Sequence, residues 1–223
     1  MLEGVKEFSY TQDATAELLF NPDLYYSSLT NVYKRYIKRS FDIFFALAFF
    51  VLLSPIMLMT VIVIKIESSG AAIFKQERLG LGGRAFVIYK FRSMRLDAET
   101  FGPAWAVKED KRTTRTGRFL RKYRIDELPQ LINILQGDMS FVGPRPEREY
   151  FYEIFTRKIR DFRVRLAVKP GLTGLAQVNG GYDIGPAEKL KHDKEYIKKF
   201  SFKMDLVIIL RTVGVVLKGT GAR

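Results

Sequence analysis

Hydrophobic positions along this chain follow three different periods, and each predicts a different kind of element. The first is a continuous run at 41–64, FDIFFALAFFVLLSPIMLMTVIVI, whose only charge is Asp42 at its edge. It is too long and starts too deep in the chain for a signal peptide, since Lys34, Arg35, Lys38 and Arg39 precede it, and it reads as a membrane-inserted helix. Straight, its 24 residues would run about 36 Å, enough to span a hydrocarbon core of ~30 Å. Ser54-Pro55 interrupts it. Proline removes one backbone hydrogen bond and crowds the preceding turn, which predicts a kink between arms of about 21 Å and about 15 Å, neither spanning alone. Basic residues flank both ends, with Lys65, Lys75, Arg78, Arg84, Lys90, Arg92 and Arg95 following the run. Positive charge favours the cytoplasmic side. A re-entrant helix satisfies both flanks and a spanning helix misplaces one, so the residues favour re-entrance and leave spanning as the alternative.

The second pattern is short and strand-like. AIFKQERLG and RAFVIYKFRSM lie either side of LGLGG at 79–83 and predict two strands joined by a hairpin turn. That turn lacks a Walker spacing and a strand-to-helix G-x-G-x-x-G setting, which argues against a phosphate-cradling loop. The third pattern is helical. Leu128, Leu131, Ile132 and Leu135 recur at i, i+3, i+4 and i+7 and predict the buried face of a helix. Pro129 then belongs in its first turn, which puts Asp126 and Glu127 at the helix start. Within 147–166, Phe151, Phe155, Phe162 and Leu166 form a stripe among Arg157, Lys158, Arg160, Arg163 and Arg165. Such a basic amphipathic helix either lies in a membrane interface or packs on the core. The run from Phe202 to Leu217 is broken by Lys203, Asp205 and Arg211, too short and too charged to span, and reads as a core or interfacial helix.

Three regions follow: a polar, acidic-leaning lead-in at 1–30, a basic amphipathic approach with the interrupted apolar helix at 31–66, and a domain of helices and short strands at 67–223. Composition supports a folded chain, with 223 residues, 47% apolar and 27% charged. The 37 Lys and Arg against 24 Asp and Glu give a formal net charge of +13, which calls for a polyanionic partner such as nucleic acid, an anionic membrane face or a phosphorylated substrate. With no cysteine and one histidine, His192, disulfide scaffolds, thiolate zinc sites, cysteine nucleophiles and His-rich metal sites are excluded.

The densest chemistry lies at 115–149, RTGRFLRKYRIDELPQLINILQGDMSFVGPRPERE. An Asp-Glu pair before a helix is commonly a cap. Here Arg118, Arg121, Lys122 and Arg124 precede it and Arg145 follows in GPRP. Guanidinium groups match phosphate oxygens, and a carboxylate ringed by them suits attack on phosphorus. Adjacent carboxylates do not suit glycosidase chemistry, whose two groups face each other across a sugar. The two prolines and glycine of VGPRP would hold Arg145 in place. KPGLTGLAQVNG at 169–180 reads as a Gly-rich loop able to meet a nucleotide or sugar, and Asp193, in KHDKEY, reads on its own as a surface carboxylate.

Taken in order, KRSFDI leading into the Ser-Pro-interrupted segment, FKQERLG, YKFRSMR, RIDELPQLINILQGDMSFVGPRPE and KPGLTGLAQVNG resemble the monotopic phosphoglycosyl transferases, the bacterial sugar transferase family, from about Lys38 to Leu217. Residues 1–30 match no motif of the family, whose long members carry further N-terminal transmembrane helices and another domain. The resemblance implies an α/β, mostly α, monotopic membrane protein. Its re-entrant helix would break at Ser54-Pro55, its interfacial amphipathic helices would lie along the membrane, and a small cytosolic catalytic domain would carry short strands. It implies transfer of a sugar-1-phosphate from a UDP-sugar to polyprenyl (undecaprenyl) phosphate at the cytoplasmic face of the bacterial inner membrane. It further implies that Asp126 attacks the β-phosphorus, releasing UMP and leaving a phosphosugar-aspartate, and that Glu127 holds Mg²⁺. Arg121 and Arg145 match phosphate-binding positions, Lys90 and Arg118 join them as phosphate or nucleotide contacts, and Asp193 matches a carboxylate of the metal site. The partners expected are the donor, the lipid acceptor and an anionic inner leaflet. Nucleic acid is not expected, since no recognition-helix, RNP or zinc-finger pattern is present; a homo-oligomer stays open. The segment GPAWAVKED at 102–110 is expected to shape the sugar pocket. Competing readings are a membrane-anchored nucleic-acid binder, a lipid-binding scaffold, and a hydrolase using the same dyad with water as acceptor.

Overall fold

The computed structural model describes residues 37–100, 102, 110–181 and 183–219. The lead-in at 1–30, the basic approach at 31–36 and residues 103–109 of the expected sugar-pocket segment lie outside the described residues. Helix α1, Lys38–Glu67, runs continuously through Pro55, and its apolar surface is mostly exposed, with Phe44, Val51, Leu52 and Leu58 among the outward side chains. Pro55 has no N–H to give the carbonyl four residues back, and Ser54 Oγ donates to that oxygen, Val51 O, at 2.7 Å. The dipeptide thus opens a helical bond and fills the gap itself, which matters most where no water can.

Both ends of α1 are fastened to the same body of structure. At the N-terminal end Lys38 Nζ pairs with Asp205 Oδ2 at 2.5 Å, Arg39 donates to the Ile134 and Leu135 carbonyls, and Asp42 Oδ1 accepts from Ser140 Oγ and the Phe141 amide, each at 3.0 Å. At the C-terminal end Ile64 packs with Phe91 and Leu120, Glu67 accepts from the Thr116 amide at 3.1 Å, and Arg92 donates to the Ser68 and Ser69 carbonyls. Hydrophobic contact with the domain reaches Phe50 from one end and Met57 from the other.

The expected hairpin is present: β1, Ile73–Leu79, and β2, Ala85–Phe91, pair antiparallel from Ile73 opposite Phe91 to Leu79 opposite Ala85. Helix α2, Arg115–Lys122, is capped by Thr114, whose hydroxyl accepts from the Gly117 amide at 2.9 Å. It lies so close to β2's extension that a Cβ on Gly117 would come 2.0 Å from the Ser93 carbonyl. Arg124 then turns the chain in the left-handed region (φ 57°), a one-turn 3₁₀ helix follows at Ile125–Glu127, and α3 runs Gln130–Gln136. The carboxylate pair therefore occupies its own turn ahead of the helix. Pro129, which has no N–H to donate to the Ile125 carbonyl, sits at the junction between the two, where a missing donor costs least. Leu131 and Ile134 are buried as the core face of α3. The buried Asn133 fastens α3 to the edge of β2, accepting from the Tyr89 amide at 3.1 Å and donating to the Val87 carbonyl at 2.7 Å.

A second two-stranded sheet pairs β3, Ser140–Val142, with β4, Gly171–Thr173, in parallel. Between them lie α4, Glu149–Thr156, and a 3₁₀ stretch at Phe162–Ala167. Of the two readings of the 147–166 stripe, packing on the core holds. Tyr152, Phe162 and Leu166 cluster with Leu79 and Leu190, and Phe155 packs against them. Asp161 at φ 60° breaks the stretch into two elements. The chain closes with α5, Leu175–Val178, α6, Pro186–Lys199, and α7, Phe202–Lys218. Helix α7 turns Asp205 and Ile208 inward and leaves Phe202, Leu206, Leu210, Val213 and Leu217 exposed along one face. The architecture is mostly helical with short strands and one long apolar helix.

Candidate active site

The 3₁₀ turn at Ile125–Glu127 sets Asp126 and Glu127 into the wall of a cavity of about 260 Å³ whose other walls come from β2, its extension and the VGPRP turn. Both carboxylates are only 6% exposed, so their charge must be answered by protein or ligand. Glu127 is answered by protein. Its Oε1 pairs with Arg145 and lies 3.5 Å from Lys90 Nζ and 3.9 Å from the Arg124 guanidinium. Asp126 is answered less directly: its Oδ1 has no hydrogen-bond partner among the described residues, and Lys90, Arg121 and Arg124 act on its charge coulombically. Arg121 lines the same cavity with its Nε donating to Ser93 Oγ at 2.8 Å.

These surroundings split the pair electrostatically. Burial opposes ionisation of Glu127, but Arg145, Lys90 and Arg124 outweigh it and hold that carboxyl well below the usual range. Burial raises Asp126, and the Glu127 charge raises it further, against the lowering pull of Lys90, Arg121 and Arg124. Glu127 is therefore a fixed anion, and Asp126 is the member that titrates, buried beside a cavity lined by cations.

Of the site residues expected from sequence, Lys90, Arg121, Asp126, Glu127 and Arg145 meet in this cavity. Arg118 does not. On α2 the buried positions are Gly117 and Leu120, and 100° per residue turns Arg118 out to the exposed side. Asp193 does not reach the cavity either. It is 1% exposed on α6, with its Oδ2 accepting from Arg165 Nε at 2.6 Å. That bond makes it a buried ion-pair partner of Arg165 rather than the surface carboxylate its sequence setting suggests. KPGLTGLAQVNG supplies β4 and α5, and its Ala176 and Gln177 line a small crevice with Arg124 and Arg145. Sequence reasoning gave no part to Ser93, which holds Arg121, or to Arg165, which stands behind Arg145. Their only signals were a serine inside YKFRSMR and one arginine in a basic stripe.

Among the described residues no group of three or more His, Cys, Asp and Glu side chains could cage a metal. A divalent cation completed by substrate oxygens needs only one or two carboxylates. The donor set fits that case through Asp126 Oδ1, which has no hydrogen-bond partner among the described residues, beside a Glu127 carboxylate on which the cations converge at Oε1 alone among the ion pairs described.

The site is thus a buried carboxylate pair ringed by basic side chains, in a fold that also carries one long, mostly exposed apolar helix. Comparison with known proteins narrows this. The model of the bacterial sugar transferase family matches residues 33–219, and the chain belongs to that family. It is 47% identical over 84% of its length to an Aeromonas hydrophila protein named UDP-N-acetylgalactosamine-undecaprenyl-phosphate N-acetylgalactosaminephosphotransferase, and spans 45% of that relative's length. To a Caulobacter vibrioides UDP-glucose:undecaprenyl-phosphate glucose-1-phosphate transferase it is 42% identical, over 79% of this chain and 68% of the relative. To an exopolysaccharide production protein of Rhizobium leguminosarum it is 41% identical, over 79% of this chain and 93% of the relative.

Proposed function

We propose that this chain transfers a sugar-1-phosphate from a UDP-sugar to undecaprenyl phosphate, the first membrane step of surface polysaccharide or glycoconjugate synthesis. The observation that carries the reading is the pairing of a buried carboxylate whose Oδ1 makes no hydrogen bond among the described residues, Asp126, with a charge-neutralised one, Glu127, in a cavity lined by Lys90, Arg121, Arg124 and Arg145. The names of the relatives point to the same chemistry.

In this reading an Asp126 carboxylate oxygen forms a bond to the β-phosphorus of the donor. The bond from that phosphorus to the bridging oxygen breaks, and UMP departs with the electron pair. An oxygen of undecaprenyl phosphate then attacks the same phosphorus, and the Asp126 carboxylate leaves. Lys90, Arg121, Arg124 and Arg145 counter the repulsion between the anionic nucleophile and its anionic target. Glu127 would hold Mg²⁺ together with donor oxygens, and the ion would neutralise the diphosphate and ease departure of UMP.

Helix α1 is read as re-entrant, with the catalytic domain on the cytoplasmic face of the bacterial inner membrane. In support, one domain holds both ends of α1, and the stretch between its last contacts, 51–56, is about 9 Å of helical rise, far short of the ~30 Å a crossing helix must put between its ends. Purified chain with Mg²⁺, undecaprenyl phosphate and each of a panel of radiolabelled UDP-sugars should release UMP and move label into a solvent-extractable lipid. Release of sugar phosphate to water at the same rate without the lipid would favour a hydrolase. No lipid product and no UMP from any donor would contradict the reading.

A further inference from the structure

The turn that carries Arg145 is held from several sides by backbone bonds. The Gly143 amide donates to Thr173 O and the Gly171 amide donates to Pro144 O, each at 2.9 Å. Arg78 NH1 donates to Pro146 O at 3.3 Å, and the Leu79 amide donates to Glu147 O at 3.0 Å. The carbonyl of Arg145 itself is held by a side chain. Arg165 NH2 donates to it at 2.9 Å, while Arg165 Nε donates to Asp193 Oδ2 at 2.6 Å. Arg165 is 2% exposed, and its guanidinium centre stands 5.0 Å from the Phe162 ring and 5.9 Å from the Tyr152 ring. It also lines a small crevice together with Arg124 and Arg145.

A buried ion pair contributes little net stability compared with apolar residues of the same volume, because desolvation cancels most of the attraction. What the planar guanidinium offers here is direction. One rigid fork, clamped by two rings, gives its Nε–H to Asp193 and its NH2 to a single main-chain oxygen. Lysine could answer the Asp193 charge or reach the carbonyl, but it has no fork to do both in this geometry.

We propose that Arg165 is a positioning residue of the phosphate site: oriented by Asp193, it fixes the main chain at Arg145 and so aims the Arg145 guanidinium at Glu127 and the donor diphosphate. The proposal rests on the functional reading above. In it, Asp193 serves the site through Arg165 and not through a metal ion.

The test is a double-mutant cycle on binding of UDP, which carries the diphosphate shared by all UDP-sugar donors, to the full chain in detergent with Mg²⁺. Arg165→Lys should weaken UDP binding about tenfold, the loss expected for a misaligned charge-assisted contact, with the thermal midpoint within a few degrees of the parent. In an Arg145→Lys background the same substitution should cost less than about twofold, because there is no longer an aimed guanidinium to misalign. Asp193→Asn, which keeps the shape of the pair, provides a second cycle if Arg165→Lys does not fold, and should show the same loss of effect in the Arg145→Lys background. Equal losses in both backgrounds, or unchanged binding in the folded single variants, would overturn positioning. Failure of the parent chain to bind UDP would bring down the functional reading and this proposal together, whereas binding by the parent with additive losses would bring down this proposal alone.

Discussion

Two adjacent residues of like chemistry are given opposite duties by their neighbours. Glu127 is surrounded by Arg145, Lys90 and Arg124 and stays ionised, while Asp126 carries the cost of burial beside it. Attack on phosphorus needs the Asp126 anion. Because its carboxyl is raised, turnover at limiting donor should fall on the acid side at a pH above the ordinary aspartate range, and the Asp126→Asn protein should lose turnover about 10³-fold or more. A raised carboxyl also means that the native state binds that proton more tightly than the unfolded chain does. Ionisation of Asp126 therefore costs stability in full above the native pKa, and the cost shrinks as pH falls below that value and is gone below the unfolded pKa. Asp126→Asn should accordingly be at least as stable as the parent at neutral pH by thermal unfolding, with any gain shrinking in acid. A clear loss of stability at neutral pH would contradict this electrostatic account. The dyad and its arginines were legible in sequence because they are neighbours in the chain. Arg118 falls on the exposed side of α2, which proximity in sequence does not reveal because it says nothing of helical phase, and Arg165 and Asp193 are obscure in sequence because their partners lie 20 to 28 positions away.

Elements were legible where their pattern is local. The hairpin announced itself through strand-like runs around a Gly-rich turn, and α1 through its apolar run. The parallel pairing of β3 with β4 gave no such sign, since three-residue strands joined across 28 intervening residues depend on what packs around them. Glycine is what permits this pairing, because a Cβ on Gly171 would stand 2.1 Å from the Gly143 nitrogen. Gly171→Ala should therefore destabilise the chain by roughly 2–3 kcal/mol, measured by denaturant unfolding, and reduce UDP binding by moving the Arg145 turn. For α1 the decisive residues are Ser54 and Pro55. Replacing Pro55 by Leu restores the missing bond to Val51 and should shift the helix toward crossing. The chain has no cysteine, so a single cysteine placed next to Lys65 reports topology directly. It should be labelled from the cytoplasmic side in the parent and become inaccessible from that side in a fraction of the Pro55→Leu protein. Identical labelling in both would remove Pro55 from the account.

At the scale of the whole molecule, the +13 charge and the outward apolar faces answer one another. The exposed side of α1, the α7 face running from Phe202 to Leu217 and Phe119 on α2 offer lipid-compatible surface, and basic residues near anionic headgroups add ~1 kcal/mol each. Replacing Leu210 and Leu217 by Glu should lower co-sedimentation with anionic vesicles and leave UDP binding intact; unchanged sedimentation would show that α7 takes no part in membrane contact. The sequence left α7 and the 147–166 stripe equally open to core and interface, because periodicity reports that a face is apolar and not what covers it. Packing turns the 147–166 stripe onto Leu79 and Leu190 and leaves the α7 stripe exposed.

The central claim is that Asp126 becomes covalently bonded to the transferred phosphorus. Its most direct test is mass spectrometry of the detergent-solubilised chain after incubation with Mg²⁺ and a panel of UDP-sugars, with no lipid acceptor present. The account predicts a mass increase of one sugar phosphate located on Asp126, absent in Asp126→Asn and discharged by undecaprenyl phosphate. Transfer to the lipid at an undiminished rate by Asp126→Asn, with no adduct on the parent, would contradict it.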